Sequence, residues 1–298
     1  MNRHLALLAT ATRYNLVEHV RNRFAMLLVV LYIPTWVTLC YLNIPDEPMP
    51  YRLRDTGRVL SLPGNELTQL SGAINAVTLI TGFMMFAATF AGGRFDRRLA
   101  MAGYPRTHLA VAKIISLTLA SATVAAYATA VMWPAWHARR PVLLATALFG
   151  DAMTYGTLGV IFGSVFRREV EGMFAMLMTS VIDIALQSPL ANSGVDSTFV
   201  RFLPSWGAMQ AAVAAGYSDD SVFVYGTVQL AWFTTTAVLA LLAFHHRTRN
   251  ALPKAGPPLT DLLPPINTRT TCPPSLRHPA IRGLPEPRLT GAPEADDG

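Results

Sequence analysis

Two aspartates sit inside apolar stretches of this sequence, Asp151 in LFGDAMTYG and Asp183 in TSVIDIALQ. A carboxylate is costly in hydrocarbon, so each is expected to face the protein interior or water. There it can line a substrate path, carry protons, or hydrogen bond between helices near the outer interface. Asn75, in an apolar run of its own, reads as a helix contact rather than a ligand. Other chemistry is hard to assemble from this chain. It has no Gly-x-x-x-x-Gly-Lys-Ser/Thr phosphate loop, no Gly-x-Ser-x-Gly elbow and no His-Glu-x-x-His zinc helix. The seven histidines show no ligand spacing, and Cys40 and Cys272 are too far apart for a metal site or a disulfide framework. The chain is therefore expected to be non-catalytic and to hold no metal or cofactor.

The elements that position these residues follow from hydropathy. Of 298 residues 52% are hydrophobic and 14% charged, against about a quarter charged in soluble domains. Mean hydropathy is +0.34. A membrane helix needs about 20 apolar residues, and six stretches qualify, near 24–42, 69–91, 109–132, 142–165, 171–189 and 221–244. The net charge of +6 lies in arginine clusters beside these stretches, which suits membrane topology and argues against nucleic acid. The side carrying Arg3, Arg13, Arg21, Arg23, the 94–113 cluster, Arg167, Arg168, Arg247, Arg249 and Lys254 is richer in basic residues than the other. The richer side is cytoplasmic by the positive-inside rule, so both termini are predicted inside.

Residues 1–23 read as an interfacial amphipathic helix. Leu5, Leu8, Ala9, Leu16 and Val20 share one face, and Arg13, Asn15, Glu18 and His19 lie off it. Residues 24–246 form the six-helix membrane domain. The tail 247–298 holds more than half of the 21 prolines, ends in acidic residues, and reads as a disordered cytoplasmic segment. Gly156, Gly159 and Gly163 form a small-residue stripe for close helix packing, within the subunit or across a dimer. Pro34 is expected to kink or loosen the first span.

The link FDRRLAMAGYPRTHLAVAK, from Phe95 to Lys113, combines charge, a small apolar patch and a Gly-Tyr-Pro break. The pair Gly92-Gly93 is expected to end the second span. Leu99–Ala102 would then form one turn lying along the membrane, Gly103-Tyr104-Pro105 breaks it, and Thr107 caps the third span. Such a short helix suits a groove on a soluble partner. Lys113 is expected to snorkel to the cytoplasmic surface.

With this link, the amphipathic first helix, the second inner link VFRREVEGMF and the outer segment FLPSWGAMQAAVAAGYSD, the chain resembles the membrane subunits of type-2 ABC transporters over about residues 5–245. Leu99, Gly103 and Lys113 match the family's pattern in the first link, whose usual glutamates are represented only by Asp96. The resemblance implies an all-α permease of an ATP-driven exporter in a bacterial plasma membrane. It would pair with itself or a sister permease, and ATP and Mg would bind in separate cytoplasmic ATPase subunits. It also implies that Arg97, Arg98, Leu99, Ala102, Gly103, Tyr104, Pro105 and Arg106 form the ATPase-coupling link and Arg167, Arg168 and Glu169 a second contact. Residues 192–218 would form short helices re-entering the outer leaflet. An ion-coupled secondary transporter using Asp151 and Asp183 is the alternative.

Overall fold

A computed structural model describes residues 2–189 and 197–249, which are mostly helical with one small sheet. Helices cover all six predicted stretches, but among the described residues four segments are long and apolar enough to cross a membrane. These are Gly64–Gly93 within α4 (Gly64–Met101), Thr107–Met132 within α5 (Arg106–Met132), all of α6 (Pro141–Val165), and Phe223–Ala243 within α9 (Phe223–Arg249). The tail from residue 250 and the segment 190–196 lie outside the described residues.

The first predicted span is loosened ahead of its proline into a π-helical turn. After α1 (Asn2–Arg21), the chain forms α2 (Arg23–Leu27), a π-helical turn (Leu28–Tyr32) and α3 (Ile33–Leu42). Pro34 has no N–H to give the Val30 carbonyl one turn back. The Tyr127 hydroxyl of α5 donates to that carbonyl instead, at 3.3 Å, the kind of substitution that lets a broken helix persist in lipid. The fifth stretch, α7 (Glu169–Gln187), opens on Glu169 and Glu171 and carries Asp183 near its end, which shortens its apolar run.

The predicted glycine stripe is used within the subunit. A Cβ on Gly159 would run into the Gly82 carbonyl of α4, one on Gly163 would lie 2.8 Å from the Phe86 carbonyl, and one on Gly156 would strike Leu117 of α5. α6 is thereby pressed against α4 at backbone distance and receives the Leu117 side chain of α5 at Gly156.

Two shorter elements complete the fold. The sequence reads as loop where β1 (Pro48–Arg52) and β2 (Val59–Pro63) form an antiparallel hairpin in register Pro48↔Pro63 to Arg52↔Val59. Prolines at 48, 50 and 63 hide these strands, because proline is confined to edges and strand ends, and a two-stranded ribbon consists of edges. Beyond a 3₁₀ turn (Thr198–Phe202), α8 (Trp206–Tyr217) is almost wholly buried and packs against α4, α6 and α9. Its twelve residues cannot span a bilayer.

Candidate functional site

α4 does not stop at Gly92-Gly93 but runs unbroken to Met101. A glycine inside a helix costs about 1 kcal/mol relative to alanine without forcing a break. A left-handed residue does force one, and Gly103 adopts φ +86°. The Tyr104 N–H returns to the Leu99 carbonyl at 3.0 Å, the six-residue bond of a Schellman closure that glycine favours. Leu99–Met101 is thus the last turn of α4 rather than a separate helix along the membrane. Pro105, extended at ψ 119°, precedes α5, which begins at Arg106. Thr107 therefore lies inside the helix and does not cap it; its hydroxyl meets His108 Nδ1 at 3.4 Å.

Arg98, Met101, Ala102 and Gly103 are exposed at this tip, Leu99 and Tyr104 half-buried. The side chains of Arg97 and Arg106 lie outside the described residues. Tyr104 donates its hydroxyl to the Leu7 carbonyl of α1 at 2.7 Å, so the tip and α1 are joined. α1 itself packs on α5. His19, expected on the solvent-facing side, is buried against the protein, while Leu5 and Val20 remain exposed. Burial, with Lys113 nearby, holds the His19 imidazole below its ordinary value. The link between α6 and α7 is short: Phe166 and Arg168 are extended, α7 starts at Glu169, and Arg168 pairs with Glu171 at 3.6 Å.

At the other end of the helices, the structure brings together the two aspartates and joins them to residues that the sequence did not single out. Asp183 is buried, and its Oδ2 accepts the Tyr155 hydroxyl of α6 and the Ser205 N–H at 3.0 Å. Its Oδ1 accepts the Gln187 amide at 2.7 Å. Asp151, fully buried, receives Gln229 of α9 at 3.4 Å. Gln229 also donates to Thr154 at 2.8 Å and accepts the Ala208 N–H of α8 at 3.0 Å. The Ser205 hydroxyl lies within reach of both carboxylates, and Gln187 Oε1 has no hydrogen-bond partner among the described residues. Asn75 is a helix contact, donating to Ser180 of α7 at 3.1 Å, with Thr78 2.7 Å from the same hydroxyl.

This network fixes α8 between the helices. Asp183 sits at its N-terminus, where a carboxylate complements the helix dipole. Arg140 sits at its C-terminus and donates to the carbonyls of Ala214, Ser218 and Asp220 at 3.0, 2.9 and 2.8 Å. Gln210 of α8 joins the hairpin, donating to the Tyr51 hydroxyl at 3.1 Å and accepting the Arg54 N–H at 3.2 Å. Tyr217 stacks on Trp136 at 4.7 Å, and burial beside Glu66 pushes its phenol above the ordinary value. Among the described residues no three His, Cys, Asp or Glu side chains gather as metal ligands.

Tyr155 and Gln187 follow the two aspartates by one helical turn, so they share the same faces. That spacing is the signal from which the cluster could have been found. No family model matches this sequence, and a comparison with curated proteins finds no relative.

Proposed function

We propose that this chain is the membrane-spanning permease subunit of an ATP-driven ABC exporter, with six spans and both termini on the cytoplasmic side of a plasma membrane. It pairs with a second permease subunit, and separate ATPase subunits dock on the tip of α4. The continuity of α4 carries this reading. Its 38 residues make a rod of about 57 Å at 1.5 Å per residue, longer than the roughly 30 Å of hydrocarbon. The capped tip at Met101–Tyr104 therefore stands clear of the bilayer. A partner pushing on it moves a helix packed along α6 and, through Tyr104, α1. ATP-driven closure of the partners then biases the permease by their differential affinity for its two states.

Co-expression with a P-loop ATPase of the same organism tests the reading. The ATPase should co-purify with the chain and be lost when the exposed Met101 becomes Asp. Retention of a coupled ATPase by that variant contradicts the docking role.

One observation favours a second reading, an ion-coupled secondary transporter: Asp151 and Asp183 lie together in one buried network. Loss of transport in Asp151→Asn, with assembly and ATPase activity intact, would select it.

A further inference from the structure

α6 and α9 run side by side in parallel, joined at one constant offset along the chain. Gln229 donates to the Gly150 carbonyl at 3.3 Å, and the Thr157 and Thr236 hydroxyls meet at 2.6 Å. Where α8 packs against both, the three helices leave a cleft of about 260 Å³. Ala147, Ala208 and Ala211 are buried at its floor, and Gln229 closes the back. Its mouth is open. Thr146, Gly226 and Leu230 are exposed there, and a Cβ on Gly226 would meet nothing within 4 Å.

The lining restricts the occupant. No Asp, Glu, Lys, Arg or His lines the cleft, and its two polar side chains are engaged. Thr146 donates to the Val142 carbonyl at 2.8 Å. Gln229 donates to Gly150, Asp151 and Thr154 and accepts the Ala208 N–H at 3.0 Å. An apolar cavity of about 150 Å³ stays dry and takes up apolar ligands, so hydrocarbon fills this space in preference to water.

The position of the cleft selects which hydrocarbon. α6 and the Phe223–Ala243 segment of α9 are both long and apolar enough to cross a membrane. The cleft follows α6 from Leu143 to Met153. That is about 15 Å at 1.5 Å per residue, half of the roughly 30 Å of hydrocarbon and the reach of one leaflet. A second copy of the chain fits less well. Thirteen residues line the cleft, whereas one side of a stable interface takes about 20–30.

We propose that one acyl chain of a bilayer phospholipid, from the leaflet at the α8 end of the helices, binds in this cleft. It is recognised as hydrocarbon, with no demand on its headgroup, and it seals Gln229 from water. The site rests on the membrane location of α6 and α9 and needs no ATPase partner.

The full chain in vesicles of phosphatidylcholine carrying a diazirine in one acyl chain tests this, with adducts mapped by mass spectrometry after illumination. Adducts should appear on the floor, at Ala208 and Ala211, as well as on the exposed Leu239 of α9. Phosphatidylglycerol with the same labelled chain should give the same floor yield. Gly226→Leu fills the mouth, and floor adducts should fall about tenfold, the loss carried by about two excluded methylenes. Labelling of Leu239 should not change. The new side chain enters open space, so the melting temperature should not fall. Absence of floor adducts in the parent would overturn the proposal, as would floor labelling undiminished in Gly226→Leu. A floor yield that differs between the two headgroups would overturn recognition by the chain alone. Disulfide-linked dimers formed by Gly226→Cys and absent from the parent would put a second copy over the mouth and overturn the choice of lipid.

Discussion

Replacing Asp183 tests the buried network most sharply, because two substitutions separate its hydrogen bonds from its charge. The carboxylate accepts from Tyr155, from the Ser205 N–H at 3.0 Å and from Gln187 at 2.7 Å. Asp183→Ala leaves these donors buried without an acceptor, and each such donor costs about 1–3 kcal/mol. The losses do not simply add in one network, so a total of about 3–5 kcal/mol is expected. Asp183→Asn keeps one oxygen for Tyr155 and Ser205. Its new amide faces Gln187, whose unpartnered Oε1 can turn to accept it, and a cost of about 1 kcal/mol is expected. Thermal unfolding in detergent, followed by tryptophan fluorescence, reads both. Trp206 follows Ser205 directly and meets Tyr225 edge-on at 5.9 Å, so it reports the N-terminus of α8. The alanine variant should melt on the order of 10 °C lower and the asparagine variant a few degrees lower. Equal shifts, or an alanine variant indistinguishable from the parent, would refute the reasoning.

Three further outcomes follow from the same geometry. Gly159→Ala should destabilise the chain by about 1–3 kcal/mol, because the added methyl meets the rigid Gly82 carbonyl and not a movable side chain; thermal unfolding measures it. Arg140→Ala should remove three charged hydrogen bonds from the end of α8 and speed amide exchange in α8 and the hairpin by at least tenfold, about 1.4 kcal/mol. For His19, whose folded value is lowered, the unfolded state binds the proton more readily than the folded one. The docking of α1 should therefore be intact above the ordinary imidazole value of 6.5 and weaken as pH falls below it. Hydrogen exchange of α1 at pH 7.5 and 5.5 checks the sign, and His19→Gln should abolish the difference.

Hydropathy alone located every long helix, since apolar runs and arginine clusters are local properties. It could not register the π-helical turn before Pro34, because the bond that replaces the missing one comes from Tyr127, far along the chain. The end of α4 was misplaced for the opposite reason. Gly92, Gly93 and Gly103 look alike in sequence, but only Gly103 adopts a positive φ, with the Leu99 carbonyl closing the cap. Asp151 and Asp183 were legible as costly residues needing partners. Their meeting was not, because it depends on Ser205 and Gln229, which the folding of α8 brings to them. The hairpin was invisible because its prolines carry the opposite local preference from the one that its packing on α8 and α9 imposes.

The docking of an ATPase on the capped tip of α4 is the claim on which the proposed function rests. Its most direct measurement is co-purification of the full chain with a P-loop ATPase of the same organism, comparing the parent with a chain whose Met101–Gly103 is rebuilt as Asp-Ser-Gly. The rebuilt chain keeps the glycine that the cap requires and keeps Tyr104 on α1. The account predicts stoichiometric ATPase with the parent, none with the rebuilt chain, and unchanged thermal unfolding of both. An ATPase that remains bound and coupled to the rebuilt chain would contradict it.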